Sequence, residues 1–418
     1  MNQKQHIATF FERQSEKTQS EYETRLNVVV DCIRFLLNQG LAFRGHDESD
    51  GSNNRGNFLE LLHFLADHNE DINAVTFKNT PLNLQMTSPK IQKDIVSCVA
   101  TETTNAIIRE MGDALFSVLI DESRDISTKE QMAVVLCYVD KNGYVVECFV
   151  GIERVSSTTA ASLKESLDNM FSRFGLSLSM LRGQGYDGAS NMHGEFNGLK
   201  TLILEENESA YYVHYFAHQL QLALISVAKK HEEVNSLFNL VSMLVNVVGV
   251  SAKRRDILHE KHALAVIEAL SKGELSSGQG LNQEITLKRP ADTCWSSHYA
   301  FDKEKLPRLA EFYPKDFSAI DLIALEMQLD VYITDLQSSA EFSELKGIGE
   351  LARTMVKIKK DKVYPLVYQL VTLALILPVA TATVERVFSA MNFVKNRLRN
   401  RMGDQWLNDN LGGVCFFV

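Results

Sequence analysis

The clearest hydrophobic pattern in the chain is a set of three valine-rich apolar runs that begins near residue 113. The runs span residues 115–121, 132–139 and 144–155. Apolar runs of this length, rich in β-branched residues and bounded by polar ones, are typical of β-strands. The segment Lys141-Asn142-Gly143 predicts a tight hairpin turn between the second and third runs. The pattern therefore predicts a meander of three consecutive strands.

Downstream of the meander, helical and strand patterns alternate. They predict helices over residues 160–174 and 191–204, short strands over 178–181 and 211–216, and a long helical region over 217–250. A meander followed by alternating α/β units is the element order of an RNase H-like sheet. We therefore predict an α/β fold with an RNase H-like mixed sheet and with helical N-terminal, insertion and C-terminal segments.

The first 110 residues are predicted to be helical. Asn57 and Glu60 have the spacing of a capping box in front of an apolar segment. Ser88 and Pro89 predict the start of a long helix that ends near Gly112, because proline is favoured at the first helical position. The polar, glycine-rich residues 51–56 predict a loop between these helices.

The C-terminal part is also predicted to be helical. Glycine and serine cluster over residues 271–290, which predicts a linker. Residues 300–360 have an amphipathic helical pattern, and residues 366–411 predict two helices separated around Pro378. The uncharged stretch 363–384 is interrupted by prolines, so we predict a core helix there and not a membrane span.

These patterns divide the chain into four parts. The predicted parts are a helical N-terminal region (1–110), an RNase H-like core (111–270), a linker with a short helical insertion (271–360) and a C-terminal region that completes the core (361–418).

Composition narrows the candidate functions. The net charge is −10, so any contact with DNA must come from a local basic patch and not from the chain as a whole. The six cysteines form no Cys-x-x-Cys pair, which argues against a zinc finger or a disulfide framework. The N-terminus lacks the apolar segment of a signal peptide, so we expect a protein that is not secreted.

Three acidic residues are candidates for a metal site. Asp121 ends the first predicted strand, and Asp187 follows the glycine-rich segment after the fourth. In an RNase H-like sheet these two strands are neighbours, so their C-terminal acids would face each other and could share divalent cations. Each aspartate alone is better explained as a loop or helix N-cap residue. Glu385 alone is better explained as a first-turn glutamate that the helix dipole favours.

The segment Gly183-Gln-Gly185-Tyr-Asp-Gly188 offers a different candidate function, because it matches the GxGxxG pattern of dinucleotide-binding loops. Three glutamates follow about 20 residues later, but they precede the next predicted strand and do not end it. The upstream meander is also unlike a doubly wound sheet. The alternative is that the glycines let the backbone turn tightly and bring Asp187 to the sheet edge.

Five motifs together resemble the hAT family of DNA transposases and their domesticated derivatives, including chains similar to MYM-type zinc-finger protein 1 and to TTF-type zinc-finger relatives. The resemblance covers nearly all of the chain. The motifs are Leu119-Ile-Asp121-Glu-Ser-Arg-Asp125, Gly185-Tyr-Asp187-Gly-Ala-Ser-Asn-Met192, His214-Tyr-Phe-Ala-His218-Gln-Leu-Gln-Leu222, Cys294-Trp295-Ser-Ser-His298 and Ala382-Thr-Val-Glu385-Arg-Val-Phe-Ser389.

The resemblance implies roles for several residues. Asp121, Asp187 and Glu385 correspond to a catalytic triad that would hold Mg²⁺ or Mn²⁺. Trp295 resembles the tryptophan that stacks on a flipped DNA base, although a core or interface aromatic explains it equally well. His218 is similar to the histidine of the family's Cys-x-x-His motif, and a structural histidine at a helix start is the alternative that we favour.

The chain also departs from the family pattern. Tyr215 stands where the Cys-x-x-His motif has cysteine, and Cys294 precedes the tryptophan where arginine is usual. Of the long helical insertion, only about residues 299–360 remain. The chain also shows no N-terminal zinc finger. These departures favour a shortened, domesticated derivative in which transposition is lost.

The C-terminal segment carries an apolar stripe and a basic face. The resemblance implies an hAT dimerisation segment here, and an apolar stripe at helical spacing suits both a dimer contact and an intrachain core. The basic face could meet DNA phosphates, although a solvated helix face is the commoner explanation. The stripe comprises Val384, Val387, Met391, Val394 and Leu398, and the basic residues are Arg386, Lys395, Arg397, Arg399 and Arg401.

Three functions remain open at this point. The first is a transposase-derived protein that forms a homodimer through its C-terminal region, with DNA as the candidate partner, no membrane partner and catalysis lost. The second is an active Mg²⁺-dependent DNA transposase or strand-transfer nuclease. The third and weakest is a dinucleotide-binding enzyme. A nuclear location is favoured over a cytoplasmic one.

Overall fold

In a computed structural model of the chain, the described residues are 16–49, 51–194, 197–249, 305–338, 340–342, 345, 347–380 and 382–415, with isolated positions between 253 and 268. The chain divides into two compact units, one of Met1–Tyr215 and Tyr299–Val418 and the other of Phe216–His298. The predicted boundaries near residues 110, 270 and 360 stay predictions. The predicted linker at 271–290 lies outside the described residues.

A five-stranded mixed sheet forms the centre of the first unit, with strand order β3-β2-β1-β4-β5. β1 and β2 are antiparallel, as are β2 and β3, whereas β1, β4 and β5 run parallel. This meander with added parallel strands confirms the predicted RNase H-like α/β fold. The strands are β1 (Phe116–Arg124), β2 (Glu130–Val139), β3 (Val145–Arg154), β4 (Leu181–Tyr186) and β5 (Tyr211–His214).

Helices precede, interrupt and follow the sheet. The N-terminal helices are α1 (Glu16–Asn38), α2 (Asn57–His68), α3 (Glu70–Ala74) and α4 (Pro89–Met111). Those between strands are α5 (Ala160–Phe174), α6 (Ser190–His193) and α7 (Leu199–Glu206). The second unit contains α8 (Phe216–Lys230) and α9 (Glu232–Gly249). The remaining helices are α10 (Lys305–Glu311), α11 (Ala319–Ser338), α12 (Ile348–Lys357), α13 (Lys360–Val363), α14 (Pro365–Leu375), α15 (Ala382–Val394) and α16 (Asp404–Cys415).

Local capping signals account for the N-terminal helices only in part. Ser88 caps α4 as predicted, because its hydroxyl accepts a hydrogen bond from the Ile91 amide at 3.3 Å. The predicted capping box at Asn57 is wrong, since Asn57 is already the first residue of α2 and its side chain donates to the Ala42 carbonyl. Glu60 instead accepts a hydrogen bond from the Arg55 amide at 3.0 Å.

Three predicted elements differ in the structure. The fourth strand is not at 178–181 but follows it, so that the glycine-rich segment itself forms β4. The predicted helix over 191–204 is split into α6 and α7. The C-terminal stripe does not lie on one continuous helix, because α15 ends at Val394 and a 3₁₀ turn over Arg397–Arg399 separates it from α16.

The C-terminal helices cover one face of the sheet. α15 packs on β1, β2 and β3, α14 packs on β2, and α16 packs on β3 and α4. Their apolar side chains join those of the strands in one large core, whereas α1, α2 and part of α4 share a smaller core of their own. The last part of the chain is therefore an integral layer of the α/β core.

None of the helices in the described part of the chain has both the length and the apolar character needed to cross a bilayer. The uncharged stretch at 363–384 forms α14 and the start of α15.

Candidate functional site

The parallel pairing of β1 with β4 brings two of the predicted acids together. Leu119 of β1 is in register with Gly185 of β4. Asp121 and Asp187 each lie two residues further along, so they occupy equivalent positions on neighbouring strands. The sequence-based expectation that these acids meet at one edge depends on this strand order.

Both aspartates lie on the sheet face that the C-terminal helices cover. Side chains alternate between the two faces of a strand, so Asp121 shares a face with Ser117. The Ser117 hydroxyl donates to the carbonyl of Ile376, which follows α14. On β4, the Cα positions of Gly183 and Gly185 face Pro378, and Asp187 continues the same alternation.

Gly183 and Gly185 make room for the chain between α14 and α15. A Cβ at Gly185 would lie 2.6 Å from Pro378 Cβ, and one at Gly183 would lie 2.5 Å from Ser117 Oγ and 2.8 Å from Pro378 Cδ. Neither glycine has a left-handed backbone conformation. The predicted tight turn at these glycines is therefore wrong, and close packing against Pro378 is the reason that side chains are excluded.

This arrangement also removes the dinucleotide interpretation. In a phosphate-binding fingerprint, the first glycines form the turn after a strand and lead into a helix. Here Gly183 and Gly185 are buried inside β4, and the helix after the segment, α6, has only four residues. The match to GxGxxG is coincidental.

Glu385 approaches the same face from α15. It lies in the first turn of that helix and is exposed. Asp121 experiences electrostatic repulsion from both Asp187 and Glu385, so all three predicted acids share one electrostatic environment. The structure thus brings the three residues to one region, although they are as much as 264 positions apart in the sequence.

The electrostatics of Asp121 are unusual for an aspartate. Burial raises its pKa to about 7, repulsion from Asp187 and Glu385 acts in the same direction, and the hydrogen bond from the Glu122 amide at 2.9 Å opposes the shift. A carboxyl group of this kind takes up a proton near neutral pH, which relieves part of the repulsion between the three acids.

Glu122 is a fourth acid that sequence reasoning missed as a site residue. Burial raises its pKa to about 7, with further repulsion from Glu130, Asp187 and Asp121. Its Oε1 accepts a hydrogen bond from Asn191 Nδ2 at 3.1 Å, and Asn191 also donates to the Thr158 carbonyl at 2.8 Å. The sequence offered a signal for this residue, because Glu122 and Asn191 both belong to motifs that resemble the hAT family.

Two tyrosines hold the strand ends that carry the aspartates. The Tyr215 hydroxyl is buried and donates to the carbonyl oxygens of Gly185 at 2.7 Å and of Ile120 at 3.1 Å. It therefore bridges β1 and β4 one residue before Asp121 and two before Asp187. The Tyr212 hydroxyl donates to the Asp187 carbonyl at 3.0 Å. Tyr215, which replaces the family's cysteine, thus has a structural role next to the site.

A buried ion pair connects the end of β1 to the end of α15. Lys395 Nζ donates to Asp125 Oδ2 at 2.7 Å, and both side chains are 0% exposed. Burial pushes the pKa of Asp125 upwards, but the hydrogen bond from Lys395 and those from Lys129, Ser127 and Gln131 outweigh it and lower the pKa to about 2. The predicted DNA contact by Lys395 is therefore wrong.

The other basic residues of the predicted DNA-binding face remain at the surface, with one exception. Arg386, Arg397 and Arg401 are exposed. Arg399 is half-buried, and its guanidinium donates to the Gly40 carbonyl at 2.7 Å, which ties the C-terminal segment to the N-terminal helices. Burial lowers the pKa of Arg399.

The predicted dimerisation stripe is mostly internal. Its first four members, Val384, Val387, Met391 and Val394, are between 0% and 1% exposed and belong to the main core. Leu398 is 96% exposed, because the 3₁₀ turn after α15 directs it away from the core. Of the two remaining predicted DNA contacts, His218 lies in the first turn of α8 in the second unit, and Trp295 lies outside the described residues.

The acids match Mg²⁺ or Mn²⁺ in chemical type, since these cations prefer carboxylate oxygens. Their arrangement does not match: among the described residues, no three His, Cys, Asp or Glu side chains form a group that could hold a metal ion. The described acids therefore do not form a complete metal-binding group in this conformation.

Family comparisons agree with this geometry. Residues 1–198 match the ZMYM1/FAM200 RNase-like domain, and residues 355–411 match the hAT family C-terminal dimerisation region. The chain therefore resembles hAT-family proteins in two separate regions. The first match ends after Asp187 and the second contains Glu385, so the matched regions supply all three predicted acids. This result confirms the resemblance that the motifs indicated.

Curated relatives are distant. The chain is 25% identical over 256 residues to the human 52 kDa repressor of the inhibitor of the protein kinase, a match that covers 56% of this chain and 33% of the relative. The mouse protein of the same name is 24% identical over 205 residues, which cover 47% of this chain and 26% of the relative. The matched part thus spans about a third or less of each relative's length.

Proposed function

We propose that this hAT-like chain is a transposase-derived protein that dimerises, binds nucleic acid and no longer cleaves it. The proposal is carried by the RNase-like domain and the hAT dimerisation region in one chain, with the helices of the second packed on the sheet of the first. Loss of cleavage is supported by two departures from the family pattern: Tyr215 stands at the cysteine position of the Cys-x-x-His motif, and Cys294 stands at the usual arginine position.

The decisive experiment for catalysis is a nicking assay on supercoiled DNA with Mg²⁺ or Mn²⁺. Wild-type protein is compared with Asp121→Asn, which removes one acid but keeps its shape. Absence of nicking by both proteins supports the proposal. Metal-dependent nicking by the wild type that the variant lacks would establish the alternative, an active strand-transfer nuclease. The shared sheet face of Asp121 and Asp187 favours that alternative.

Nucleic-acid binding is supported by the three exposed arginines Arg386, Arg397 and Arg401. In a chain with a net charge of −10, a local basic patch is the surface that would bind phosphates. Fluorescence anisotropy with a labelled duplex tests this idea. We expect Arg397→Glu with Arg401→Glu to weaken binding. The slope of the logarithm of affinity against the logarithm of salt concentration should decrease in magnitude by about one for each phosphate that the variant no longer binds.

The matched control is Arg109→Glu, which reverses the charge of an exposed arginine on α4. Equal effects of the control and of the double variant would assign binding to general charge and not to this patch.

A homodimer is supported by the match over residues 355–411. A nuclear location follows from DNA as partner, and imaging of a fluorescent fusion tests it.

A further inference from the structure

We propose that the outer face of α11 is a contact surface between two copies of this chain; this inference rests on the proposed dimerisation. Four apolar side chains form the face, which we call the α11 stripe: Ile320, Ile323, Met327 and Val331. They are 78%, 65%, 68% and 59% exposed. Spacings of three and four residues place them on one side of the helix.

The opposite side of α11 is already occupied. Leu325, Leu329 and Tyr332 are 0–1% exposed, and α11 packs there against α14. The helix is therefore apolar on two sides, one of which faces the core and the other water. A contiguous exposed apolar row of this kind is typical of an interaction surface, whereas a helix that is apolar on both sides is normally buried on both.

A second copy is the occupant that the neighbouring elements favour. α14, on which α11 rests, lies within the matched dimerisation region at 355–411. The stripe that the sequence predicted for dimerisation is turned inward on α15, where Val384 and Met391 are both 0% exposed. The α11 stripe is the continuous apolar row that the described structure offers next to this region.

Charge argues against nucleic acid or an anionic membrane as the occupant. α11 contains no lysine or arginine, and the exposed acids Glu326 and Asp330 flank the stripe. These carboxylates would repel phosphate groups. At the rim of a protein interface they can stay in contact with water while the apolar row is buried.

The test is size-exclusion chromatography with light scattering on the full chain, over a range of concentrations. We expect a wild-type dimer, and we expect Met327→Glu to raise the dimer dissociation constant by about tenfold or more, because a charge replaces a buried apolar contact. The matched control is Leu82→Glu, which alters a side chain that is 87% exposed and lies outside α11, and which should leave the dimer intact.

Two results would overturn the inference in different ways. A wild-type dimer that Met327→Glu leaves intact, and that Leu398→Glu dissociates, would place the interface on the C-terminal turn while proposed dimerisation stands. A wild-type monomer would reject the surface and the proposed dimerisation together. Circular dichroism checks that each variant is folded, and Met327→Ser, which should weaken the dimer in the same direction, replaces Met327→Glu if the charged variant does not fold.

Discussion

Pro378 packs directly against the backbone of Gly185. A Cβ at Gly185 would lie 2.6 Å from Pro378 Cβ and 2.9 Å from the Pro378 carbonyl oxygen, distances that side-chain atoms do not adopt. Because Pro378 precedes α15 by four residues, this contact helps to set where α15 begins. It therefore helps to position Glu385 relative to Asp121 and Asp187.

Replacing Gly185 by alanine should destabilise the fold. The added methyl group overlaps Pro378, and forced overpacking of this kind typically costs about 1–3 kcal/mol. Urea denaturation measures the loss. Combining Gly185→Ala with Pro378→Gly removes the clashing ring atoms, so the double variant should be more stable than the sum of the two single changes predicts.

Gly349→Ala is the matched control, because Gly349 lies in α12 with open space around it. Alanine there should leave stability unchanged or raise it by up to about 1 kcal/mol. Equal losses at Gly185 and Gly349 would contradict the packing explanation.

Ionisation of Asp121 should make the stability of the fold depend on pH. Its pKa is raised to about 7 in the fold by burial and by its acidic neighbours, against about 3.9 in an unfolded chain. Between about pH 4 and pH 7, the Asp121 carboxyl therefore stays protonated in the folded state but is ionised in the unfolded state. The stabilisation is complete below about pH 4 and is lost as the pH rises through 7.

Asp121→Asn should reduce this loss, because the amide stays neutral throughout. Urea denaturation at several pH values between 4 and 8 gives the slope of the free energy of unfolding against pH for each protein. Asp113→Asn, at an exposed position just before β1, is the control and should keep the wild-type slope. Glu122 contributes a slope of the same sign, since its pKa is also raised to about 7, so the variant should retain part of it.

Lys395→Met should be strongly destabilising, because it leaves the buried carboxylate of Asp125 without its cation. Removal of one member of a buried ion pair typically costs about 3–5 kcal/mol. The double variant Lys395→Met with Asp125→Asn should recover much of that loss, since neither charge remains and the amide oxygen can still accept from the Ser127 and Lys129 amides. A double variant as unstable as Lys395→Met would show that volume and not charge dominates at this position.

The same pair predicts acid sensitivity. The pKa of Asp125 is lowered to about 2 by its hydrogen bonds, below the value of about 3.9 for an unfolded chain. The ion pair therefore stabilises the fold above about pH 4, and this contribution is lost as the pH falls towards 2. Asp125→Asn should reduce the loss in the free energy of unfolding as the pH falls from 5 to 2. Urea denaturation over this pH range measures the effect.

Tyr215→Phe should loosen the strand ends that carry the aspartates. The variant removes the hydroxyl that bridges the carbonyls of Ile120 and Gly185, and the loss of a hydrogen bond typically costs about 0.5–1.5 kcal/mol. Tyr144→Phe, at a residue that is 52% exposed, should change stability by less than about 0.5 kcal/mol. Thermal unfolding of both variants makes the comparison.

Local signals predicted the elements whose formation depends on nearby residues. The helix over 160–174 has the predicted bounds, because an amphipathic stripe and Gly175 at its C-terminus define it locally. The meander and the Asp121–Asp187 pairing were also predicted, since valine-rich runs and strand order fix them. Asp121 and Asp187 could therefore be chosen from the strand pattern, whereas Glu385 was chosen because of the resemblance to the hAT family.

Long-range packing explains the features that the sequence did not reveal. In the sequence, Gly183 and Gly185 look like loop residues. In the structure they pack against Pro378, nearly 200 positions later, which leaves no room for a side chain. In the sequence, Lys395 looks like part of a basic surface. In the structure it is buried, because it pairs with Asp125, which lies 270 positions earlier. No local pattern records either partner.

The hydrogen bond between Ser117 and Ile376 joins residues 259 positions apart. During synthesis, β1 and β4 leave the ribosome long before the helices that shield their common face. Until α14 and α15 arrive, the apolar side chains on that face are exposed to water and to other chains. Pairings of this range should slow folding, because the chain must close long loops before they can form.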